Sequence, residues 1–342
     1  MPNAIAVLIS DVHYSLPTLE LADKAMRMAI AKANELQVPL IVAGDLHDTK
    51  ANMRAECVNA MINTFEVCNT EAFILRGNHD SMNEKSTEHA LEFLSPYATL
   101  LATNGNIIPF SGPKCLYLIP YNYNPDELRT YLKTVPPKST LIMHQGLASS
   151  NSGEYIQDKS AINPEDVAGF RVISGHYHTR QTIKLPDGGQ WDYIGNPYSL
   201  TYGEANDPPK GFQVLMSDSS LKFVPTNLRK HIIIEAKCLG PAGVISGIRP
   251  DIAKHDLVWV RLEGTSAELA AWPKDRLAAD LKLPGLFRLT ATAIDTVTPL
   301  EQTTKEVPQD ELLDSIIDSL TDADSSRKTR LKGLWKDLVA KE

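Results

Sequence analysis

Aspartate, histidine and asparagine residues stand in five short blocks in the first half of the sequence. The blocks are Asp11-Val12-His13, Gly44-Asp45, Gly77-Asn78-His79-Asp80, His144 and Gly175-His176-Tyr177-His178. Carboxylate, imidazole and amide groups without a thiolate suit manganese, iron or zinc rather than a cysteine-based zinc site. One such block alone is common, and a lone histidine beside a strand is more often structural. Together the blocks predict a metal centre whose ligands are Asp11, His13, Asp45, Asn78, His144, His176 and His178.

Each block follows an apolar run that is typical of a strand buried on both faces. The runs are Ala4–Ser10, Pro39–Gly44, Glu71–Arg76, Ser139–His144 and Arg171–Ser174. In open α/β sheets, ligands bind beyond the carboxyl ends of the strands. Five strand ends would therefore deliver the blocks to one edge of a sheet. A purely structural set of so many histidines is disfavoured, because each buried imidazole needs hydrogen-bond partners.

The runs alternate with helical patterns, which indicates an α/β layered fold. Apolar residues recur at helical spacing over Leu19–Leu36 and Met53–Val67. Asn124-Pro125 and Asn163-Pro164 each offer an N-cap followed by a proline at the first helical position. The segment Ala148–Ala161 is predicted to be a surface loop. After Trp191 we expect shorter β segments at Ile194–Tyr202, Phe212–Met216 and Leu221–Val224. The last two are predicted to close a sheet as antiparallel strands.

The length of 342 residues predicts more than one domain. We assign residues 1–230 to the domain that carries the blocks and residues 231–307 to a small α+β domain. In the latter, β-like runs are Ile232–Ala236, Leu257–Leu262 and Phe287–Ala293, with a helix near Thr265–Ala271. Residues 308–342 form a helical segment, in which Gln309–Leu320 and Arg327–Val339 have apolar stripes.

Charge and composition exclude some classes of protein. The formal net charge of −8 counts against a protein that coats nucleic acid, because Lys and Arg drive phosphate binding. It does not exclude a nuclease, since bound cations supply positive charge at the site. Four cysteines without a CxxC pair indicate free thiols. No apolar run approaches the roughly 20 residues that span a bilayer, and the first strand lacks signal-peptide features. We therefore expect a cytoplasmic protein, in the host cytoplasm if a phage encodes it, without a membrane partner.

The five blocks resemble the pattern of the calcineurin-like metallophosphoesterases, which is DxH, GD, GNHD or GNHE, a later His, and GHxH. Further motifs resemble the SbcD-type nuclease subunits of DNA double-strand-break repair, and among these the version found in phage recombination endonucleases. These motifs are Gly44-Asp45-Leu46, Tyr193–Pro197 through Leu200–Glu204, Asn206-Asp207-Pro208 and Lys210-Gly211-Phe212. The resemblance implies a layered α/β fold, a β-sandwich flanked by helices, with a small α+β cap domain and a C-terminal helical tail.

The resemblance also implies roles for the predicted ligands around two divalent metal ions, with manganese the expected metal. One ion would be held by Asp11, His13 and His178 and the other by Asn78, His144 and His176, with Asp45 bridging both. His79 would protonate the leaving oxygen, and Asp80 would orient His79.

One position departs from the family pattern. Three residues after the bridging aspartate, cellular members often carry a histidine near the substrate phosphate, whereas this chain has Asp48 there and His47 one step earlier. His47 either packs beside the site or contacts the substrate. Asp48 and Arg180 are further candidates for substrate binding. Basic residues near the blocks, Arg180, Lys50, Arg54 and Lys210, either bind DNA phosphates or are simply solvated.

The resemblance implies a DNA nuclease subunit that processes DNA ends in recombination and repair. Its activities would be a 3′-to-5′ exonuclease and an endonuclease on single strands or hairpins. Its partner would be a coiled-coil, SMC-like ATPase of the SbcC type, with a homodimer of the nuclease inside a heterotetramer. The cap domain would recognise DNA ends. The terminal helices either pack on their own core or dock on the coiled coil of the ATPase.

Two other functions stay open at this stage. A small-molecule phosphodiesterase or nucleotide phosphatase would use the same blocks, but nearly half of the chain follows His178, far more than a minimal catalytic core needs. A non-catalytic scaffold would have no need for intact ligands and His79. A protein phosphatase is disfavoured, because that branch carries GDxxDRG where this chain has Thr49-Lys50 after Asp48.

Overall fold

The apolar runs that precede the blocks form central strands in a computed structural model of the chain. The structure describes residues 2–50, 52–83, 85–103, 106–109, 115–148, 150, 158–186, 188–238, 244–246, 252–270, 272, 274–281, 283, 287–294, 325, 328–330 and 332. Within these residues the strands are β1 (Ala4–Ile9), β2 (Leu40–Val42), β3 (Ala72–Leu75), β4 (Thr99–Leu101), β5 (Asn106–Pro109), β6 (Cys115–Ile119), β7 (Thr140–His144), β8 (Arg171–Gly175), β9 (Gln181–Lys184), β10 (Gln190–Tyr193), β11 (Gly211–Met216), β12 (Leu221–Pro225), β13 (His231–Cys238), β14 (Val244–Ser246), β15 (Leu257–Gly264) and β16 (Phe287–Ala293). The helices are α1 (Leu19–Leu36), α2 (Ala55–Phe65), α3 (Pro125–Leu132), α4 (Ser266–Ala270) and α5 (Lys274–Leu281).

Two six-stranded sheets pack face to face. The first has the order β12-β11-β1-β2-β3-β4 and the second β5-β6-β7-β8-β10-β9. Strands β1 to β4 are parallel, as are β6, β7, β8 and β10, while β11 and β12 close the first sheet as antiparallel strands. Alternate residues of one strand face opposite sides. Accordingly Leu8 packs between the sheets with Leu118 and Ile142, whereas Val7 and Ile9 pack on the helix side.

Helices cover the outer faces of this sandwich. α1 and α2 pack on the first sheet, and α3 packs on the second, so the predicted layered α/β fold is confirmed. α1 runs from Leu19 to Leu36, as its apolar spacing predicts, and it ends where Gln37 adopts a left-handed conformation with φ of 53°. The Asn124 side chain caps α3 by accepting a hydrogen bond from the Asp126 N–H.

Two expectations about elements need correction, and several strands were not predicted. Asn163 starts a 3₁₀ turn at Pro164–Val167 rather than a longer helix, because the backbone leaves the helical conformation at Ala168, with ψ of 132°, and Gly169 follows with φ of 84°. The β-like piece Ile194–Tyr202 is not a strand: β10 ends at Tyr193, and Gly195 has φ of 76°. Strands β4, β5, β6, β9 and β10 lie outside the runs predicted from hydrophobicity.

A third sheet with the order β14-β13-β15-β16 lies in the predicted cap domain. Three of its strands cover the predicted runs, and α4 lies within the predicted helix near Thr265–Ala271. One face packs with α5 in a core of its own, which includes Ile234, Val260 and Leu277. This sheet belongs to the same compact unit, residues 1–293, as the sandwich. The boundaries after residues 230 and 307 stay predictions.

Residues 294–342 form a second compact unit, and most of them lie outside the described residues. The predicted helix Gln309–Leu320 lies wholly outside them. Of the predicted helix Arg327–Val339, residues 328–330 and 332 are described, and they are helical. Across the described part of the chain, no helix is long and apolar enough to cross a membrane.

Candidate metal centre

The seven predicted ligands meet where the carboxyl ends of the two sheets face each other. Asp11 and His13 follow β1, Asp45 follows β2, Asn78 follows β3, His144 ends β7, and His176 and His178 follow β8. They lie at or beside a cleft of about 1100 Å³, whose lining includes His13, Asp45, Asn78, His176 and His178. Strand ends that are far apart in the sequence thus bring these side chains together.

The first group of candidate ligands is Asp11, His13 and His178. One atom from each of the three lies within 4.8 Å of the others. The Nε2 atoms of His13 and His178 are 3.1 Å apart. The Asp11 carboxylate also accepts a hydrogen bond from the backbone N–H of His176, at 3.1 Å, which ties this group to its neighbour.

The second group is Asp45, His144 and His176, whose ligand atoms also lie within 4.8 Å of one another. Asn78 belongs with them, because its Oδ1 lies 3.1 Å from His144 Nε2 and 2.9 Å from His176 Nδ1. Asp45 stands between the groups: its Oδ2 is 3.3 Å from His144 Nε2 and 3.9 Å from His13 Nε2. A carboxylate in this place can contact cations on both sides.

Each of the four histidines turns one ring nitrogen to the centre and has the other held from behind. The outer contacts are His13 Nδ1 with Asp48 Oδ1 at 3.1 Å, His144 Nδ1 with the Ala43 carbonyl at 2.7 Å, His176 Nε2 with Asp158 Oδ2 at 3.0 Å, and His178 Nδ1 with Glu204 Oε1 at 3.1 Å. Metal-ligating histidines typically have such outer partners, which fix the ring and its tautomer.

The residues present therefore fit two divalent cations. Ring nitrogens and carboxylate oxygens that converge within 4.8 Å direct their lone pairs at one another, and a cation between them relieves that repulsion. The donor set of imidazole, carboxylate and one amide oxygen suits manganese, iron or zinc.

Backbone strain is concentrated at the candidate ligands. Asp11, His13, Asp45 and His176 have φ of 53°, 51°, 50° and 85°, in the left-handed region. A non-glycine residue there costs about 1–3 kcal/mol and persists when its surroundings hold it in place. Here the backbone N–H of Asp11 donates to the Gly44 carbonyl and that of His13 to the Asp45 carbonyl, both at 3.1 Å.

Glycines in the blocks allow the close approach of ligands from the two sheets. A Cβ on Gly44 would lie 2.2 Å from the Nδ1 of His144, and Gly44 itself has φ of 91°. A Cβ on Gly77 would lie 2.1 Å from the Oδ1 of Asp45. Side chains larger than hydrogen at these places would displace the candidate ligands.

Buried charges are strongly coupled in this centre. Burial opposes ionisation of Asp45, but the charge and hydrogen bond of His144, together with the charges of His79 and His13, hold the pKa of Asp45 well below its usual range. Burial likewise opposes protonation of His144, yet the Asp45 carboxylate raises the pKa of His144 to about 9. Because a ligating imidazole must be neutral, a bound cation would compete with this proton.

Comparison with known proteins identifies the family. The pattern that describes the calcineurin-like phosphoesterases matches residues 6–180, which is half of the chain. The chain belongs to this family. The matched residues span all five blocks, which contain the candidate ligands described above.

The individual relatives of this phosphoesterase are distant. The chain is 26% identical over 203 residues to exonuclease subunit 1 of Enterobacteria phage T4, and the match covers 55% of this chain and 56% of that protein. The chain thus aligns with little more than half of the relative's length. Among solved structures, a dimetal phosphatase from Danio rerio is 12% identical with a TM-score of 0.42, covering 62% of this chain and 92% of the other. Pseudomonas putida nuclease MPE is also 12% identical, with a TM-score of 0.31, covering 61% and 84%.

His79 and Asp80 of the phosphoesterase are placed differently from each other. The His79 side chain is 37% exposed, lines the cleft, and donates from Nδ1 to the Asp48 carbonyl at 2.7 Å. Asp80 is fully buried and accepts from the backbone N–H groups of Gly77 and His47, at 2.8 and 2.9 Å. The predicted role of Asp80 in orienting the His79 ring stays a prediction. The contacts named here show Asp80 joining the backbone of Gly77 to that of His47, and a backbone carbonyl holding the His79 ring.

The candidate substrate contacts also separate. His47 is 1% exposed and lies outside the cleft lining, which favours a packing role, and a substrate contact stays a prediction. Asp48 does line the cleft, because neighbouring residues of an extended segment point to opposite sides. The Arg180 guanidinium lies 4.2 Å from the centre of the Phe223 ring and is not part of the cleft lining, so a direct contact to a phosphate in the cleft is not supported.

Other predicted basic residues are engaged elsewhere. The Lys210 ammonium contacts Glu204 at 3.0 Å and Asp207 at 2.6 Å, so it neutralises these carboxylates rather than a phosphate. Arg54 is largely exposed and pairs with Glu56 at 3.4 Å. Lys50 lies outside the cleft lining.

Two carboxylates of the site escaped the sequence analysis. Glu204 belongs to one of the resembling motifs but had no role assigned; it contacts His178, Asn196 and Lys210. These partners lower the pKa of Glu204 to about 2 against the effect of burial. Asp158 stands at the end of the predicted loop Ala148–Ala161, where the sequence has no periodicity or motif to mark it. Most of that loop lies outside the described residues.

Proposed function

We propose that this protein is a metal-dependent DNA nuclease subunit that processes DNA ends in recombination and repair. The observation that supports this most is the pair of donor groups joined by Asp45 in an open cleft of about 1100 Å³. The family establishes a phosphoesterase. The likeness to a phage exonuclease subunit favours DNA as the substrate.

In this proposal two divalent cations, with manganese expected, are held by the predicted ligands. Asp11, His13 and His178 hold one, Asn78, His144 and His176 hold the other, and Asp45 contacts both. When bound, such a pair neutralises charge on the reacting phosphate and lowers the pKa of water to the neutral range. Asp48, Asp158 and Glu204 keep the imidazoles in the orientation that presents a lone pair to the centre.

His79 supplies the proton for the leaving oxygen. The Nδ1–H of His79 donates to the Asp48 carbonyl. In a protonated ring, the Nε2–H is therefore the proton that remains for the leaving oxygen. Partial exposure lets solvent restore the proton after each turnover. Because the His79 backbone N–H donates to Asp45 Oδ1 at 2.8 Å, the acid is tied to the residue that joins the two groups.

The proposal extends to the partner and to the assembly. The phage relative is named as a subunit, and the resemblance of the motifs favours a coiled-coil ATPase of the SbcC type as partner, with two nuclease chains in a heterotetramer. Residues 231–307 would recognise DNA ends and residues 308–342 would bind the ATPase. The activities would be a 3′-to-5′ exonuclease and a single-strand or hairpin endonuclease. The cytoplasmic location stays a prediction.

Digestion of end-labelled duplex DNA and of a labelled single-stranded hairpin with manganese tests this function, with bis-p-nitrophenyl phosphate as a parallel substrate. Metal-dependent cleavage of DNA supports the proposal. Cleavage of the small ester alone would instead support a small-molecule phosphodiesterase. Absence of both activities in protein that takes up manganese would support a scaffold. Repeating the DNA assay with the ATPase and ATP tests the partner.

His79→Asn tests the proton donor more sharply, because the two substrates differ in their leaving groups. p-Nitrophenolate is a stable anion that departs without a proton, whereas a DNA alkoxide needs one. General acid catalysis contributes about 10²–10⁴-fold, so the variant should lose about that factor on DNA and much less on the small ester. Equal losses on both substrates, with metal uptake unchanged, would remove the acid role from His79.

A further inference from the structure

A second cavity of about 620 Å³ lies next to the metal cleft. We call it the side pocket, and define it by Arg76, Lys85, Tyr121, Tyr123, Asn124 and Lys159, which all line it. Tyr121, Tyr123 and Lys159 also line the cleft, so the two spaces share a wall. The volume falls in the range of about 300–1000 Å³ typical of small-ligand sites. None of the predicted site residues lines this pocket.

Two lysines give the side pocket a positive lining. Within the described part of the chain, neither Lys85 nor Lys159 makes an ion pair, while Glu127, which also lines the pocket, accepts a hydrogen bond from Asn124 at 3.1 Å. Arg76 is different, because its guanidinium is buried and donates to the Ala102 and Tyr121 carbonyls and to the Ser81 hydroxyl. The lysine ammonium groups are therefore the cations that remain for an anionic ligand.

The negative charge of the surroundings makes these lysines the favoured position for a second phosphate group. The chain carries a formal charge of −8, and the cleft beside the pocket is lined by the carboxylates of Asp48, Asp158 and Asp207. A phosphate beyond the reach of the metal centre is repelled along those walls. Towards the side pocket it meets Lys159 and then Lys85, so this is the direction in which a second phosphate is stabilised.

Aromatic rings lie at the same wall. The Tyr121 ring is 5.7 Å from the ring of His176, a candidate metal ligand, which places the pocket directly beside the centre. Tyr123 is partly exposed, and the Lys85 ammonium lies 5.4 Å from its ring centre. Aromatic faces next to cations are the usual binding surface for nucleotides of a single strand, with bases on the rings and phosphates on the cations.

We propose that the side pocket binds the nucleotide adjacent to the scissile phosphate of a single-stranded substrate. Lys85 and Lys159 pair with the phosphate of that nucleotide, and Tyr123 packs against its base. The inference rests on the proposed function in one respect, that the substrate is a nucleic acid strand. The inference further specifies the path of that strand beyond the metal centre, which is through the side pocket.

Fluorescence anisotropy of a labelled single-stranded oligonucleotide, measured without divalent metal so that no cleavage occurs, tests the lysines. Each phosphate contact on a single strand contributes about 0.7 to the slope of log K against log salt. Because both lysines pair with the same phosphate, the double variant Lys85→Ala/Lys159→Ala should lower that slope by about 0.7 and weaken binding about tenfold. Lys222→Ala removes an exposed lysine from β12, outside both cavities, and should match wild type. An unchanged slope in the double variant would overturn the proposal.

Kinetics with two substrates test the tyrosine and separate this inference from the proposed function. The ratio of kcat/KM for the oligonucleotide to that for bis-p-nitrophenyl phosphate, which has no adjacent nucleotide, should fall about tenfold in Tyr123→Ala, since a stacked base is worth about 1–3 kcal/mol. Tyr123→Phe, which keeps the ring, should restore it. If wild type cleaves DNA and the ratio is unchanged in Tyr123→Ala, nucleotide binding in the side pocket is refuted, but the nuclease activity is not. If wild type binds the strand through the lysines but never cleaves it, the nuclease activity is refuted, but nucleotide binding in the side pocket is not.

Discussion

The metal centre and the cap sheet are built on opposite principles. In the centre, contacts join residues that are far apart in the sequence, such as His144 with Ala43 and His13 with His178, and four backbone positions are held in left-handed conformations. The cap sheet has alternating apolar residues on β13 and β15 and a core made within about sixty residues. The metal centre brings charged side chains together at the cost of backbone strain, whereas the cap strands follow the local alternation of apolar and polar residues. Substitutions should therefore cost activity in the first region and stability in the second.

The largest effect is expected from Asp45→Asn. The amide keeps the shape but removes the charge that lies between His13 and His144, so we expect phosphoesterase activity to fall by at least about 10³-fold, equivalent to roughly 4 kcal/mol. Because the folded state favours the Asp45 carboxylate, which lies 3.3 Å from His144, the amide should also lower the thermal midpoint of the metal-free protein, so activity is compared per folded molecule. Activity on bis-p-nitrophenyl phosphate and calorimetry measure the two quantities. A variant that unfolds early and keeps its activity per folded molecule would reverse the comparison.

Two glycines allow the effect of backbone conformation to be distinguished from that of steric crowding at the metal centre. Gly44 and Gly169 have φ of 91° and 84°, but a Cβ would meet His144 at 2.2 Å in the first and nothing within 4 Å in the second. Gly169→Ala should cost about 1 kcal/mol for its backbone alone. Gly44→Ala should cost more and also lower activity at least tenfold, because His144 must move. Urea unfolding and ester hydrolysis of both variants decide this; equal behaviour of the two would show that crowding at His144 is unimportant.

The cap sheet should respond in the opposite way. Leu262 on β15 is 2% exposed in the cap core, and Leu262→Ala should destabilise it by about 2–5 kcal/mol. Since the metal centre has its own supports, kcat/KM for bis-p-nitrophenyl phosphate should stay within twofold at a temperature where the protein is folded. Hydrogen exchange of the cap strands and ester kinetics are the measurements. A large loss of ester activity would mean that the cap helps to shape the centre.

The smallest effect is expected where the two regions meet. His231 starts β13, and its ring contacts the Ser199 hydroxyl at 2.9 Å and the edge of Tyr202. Burial, with help from Arg229, lowers the pKa of His231 to about 4. A folded-state pKa below the ordinary value contributes stability above about pH 6.5, and that stability is lost as the pH falls from 6.5 towards 4. His231→Gln should flatten this part of the curve of unfolding midpoint against pH; an unaltered slope would assign the acid sensitivity to other groups.

Much of the fold could be predicted because its signals are local. The apolar runs before the blocks, the spacing of α1 and the Asn124 cap each reflect a preference of neighbouring residues, and all appear in the structure. The β-like reading of Ile194–Tyr202 failed, since hydrophobicity alone does not register the turn at Gly195. Short strands such as β4 and β9 also escaped, because pairing with a neighbouring strand rather than their own pattern makes them strands.

The sequence by itself determined which groups are present and that strand ends would carry them to one edge, because residue type and hydrophobic period are local properties. The tertiary structure decided which atoms face each other. It put Asp45 between the two groups, gave the His79 ring a backbone carbonyl as partner, buried His47, and brought Asp158 and Glu204 behind His176 and His178. Those outcomes depend on loops and on the packing of one sheet against the other, and side chains that lie on different loops and strands carry no local signal of their contact.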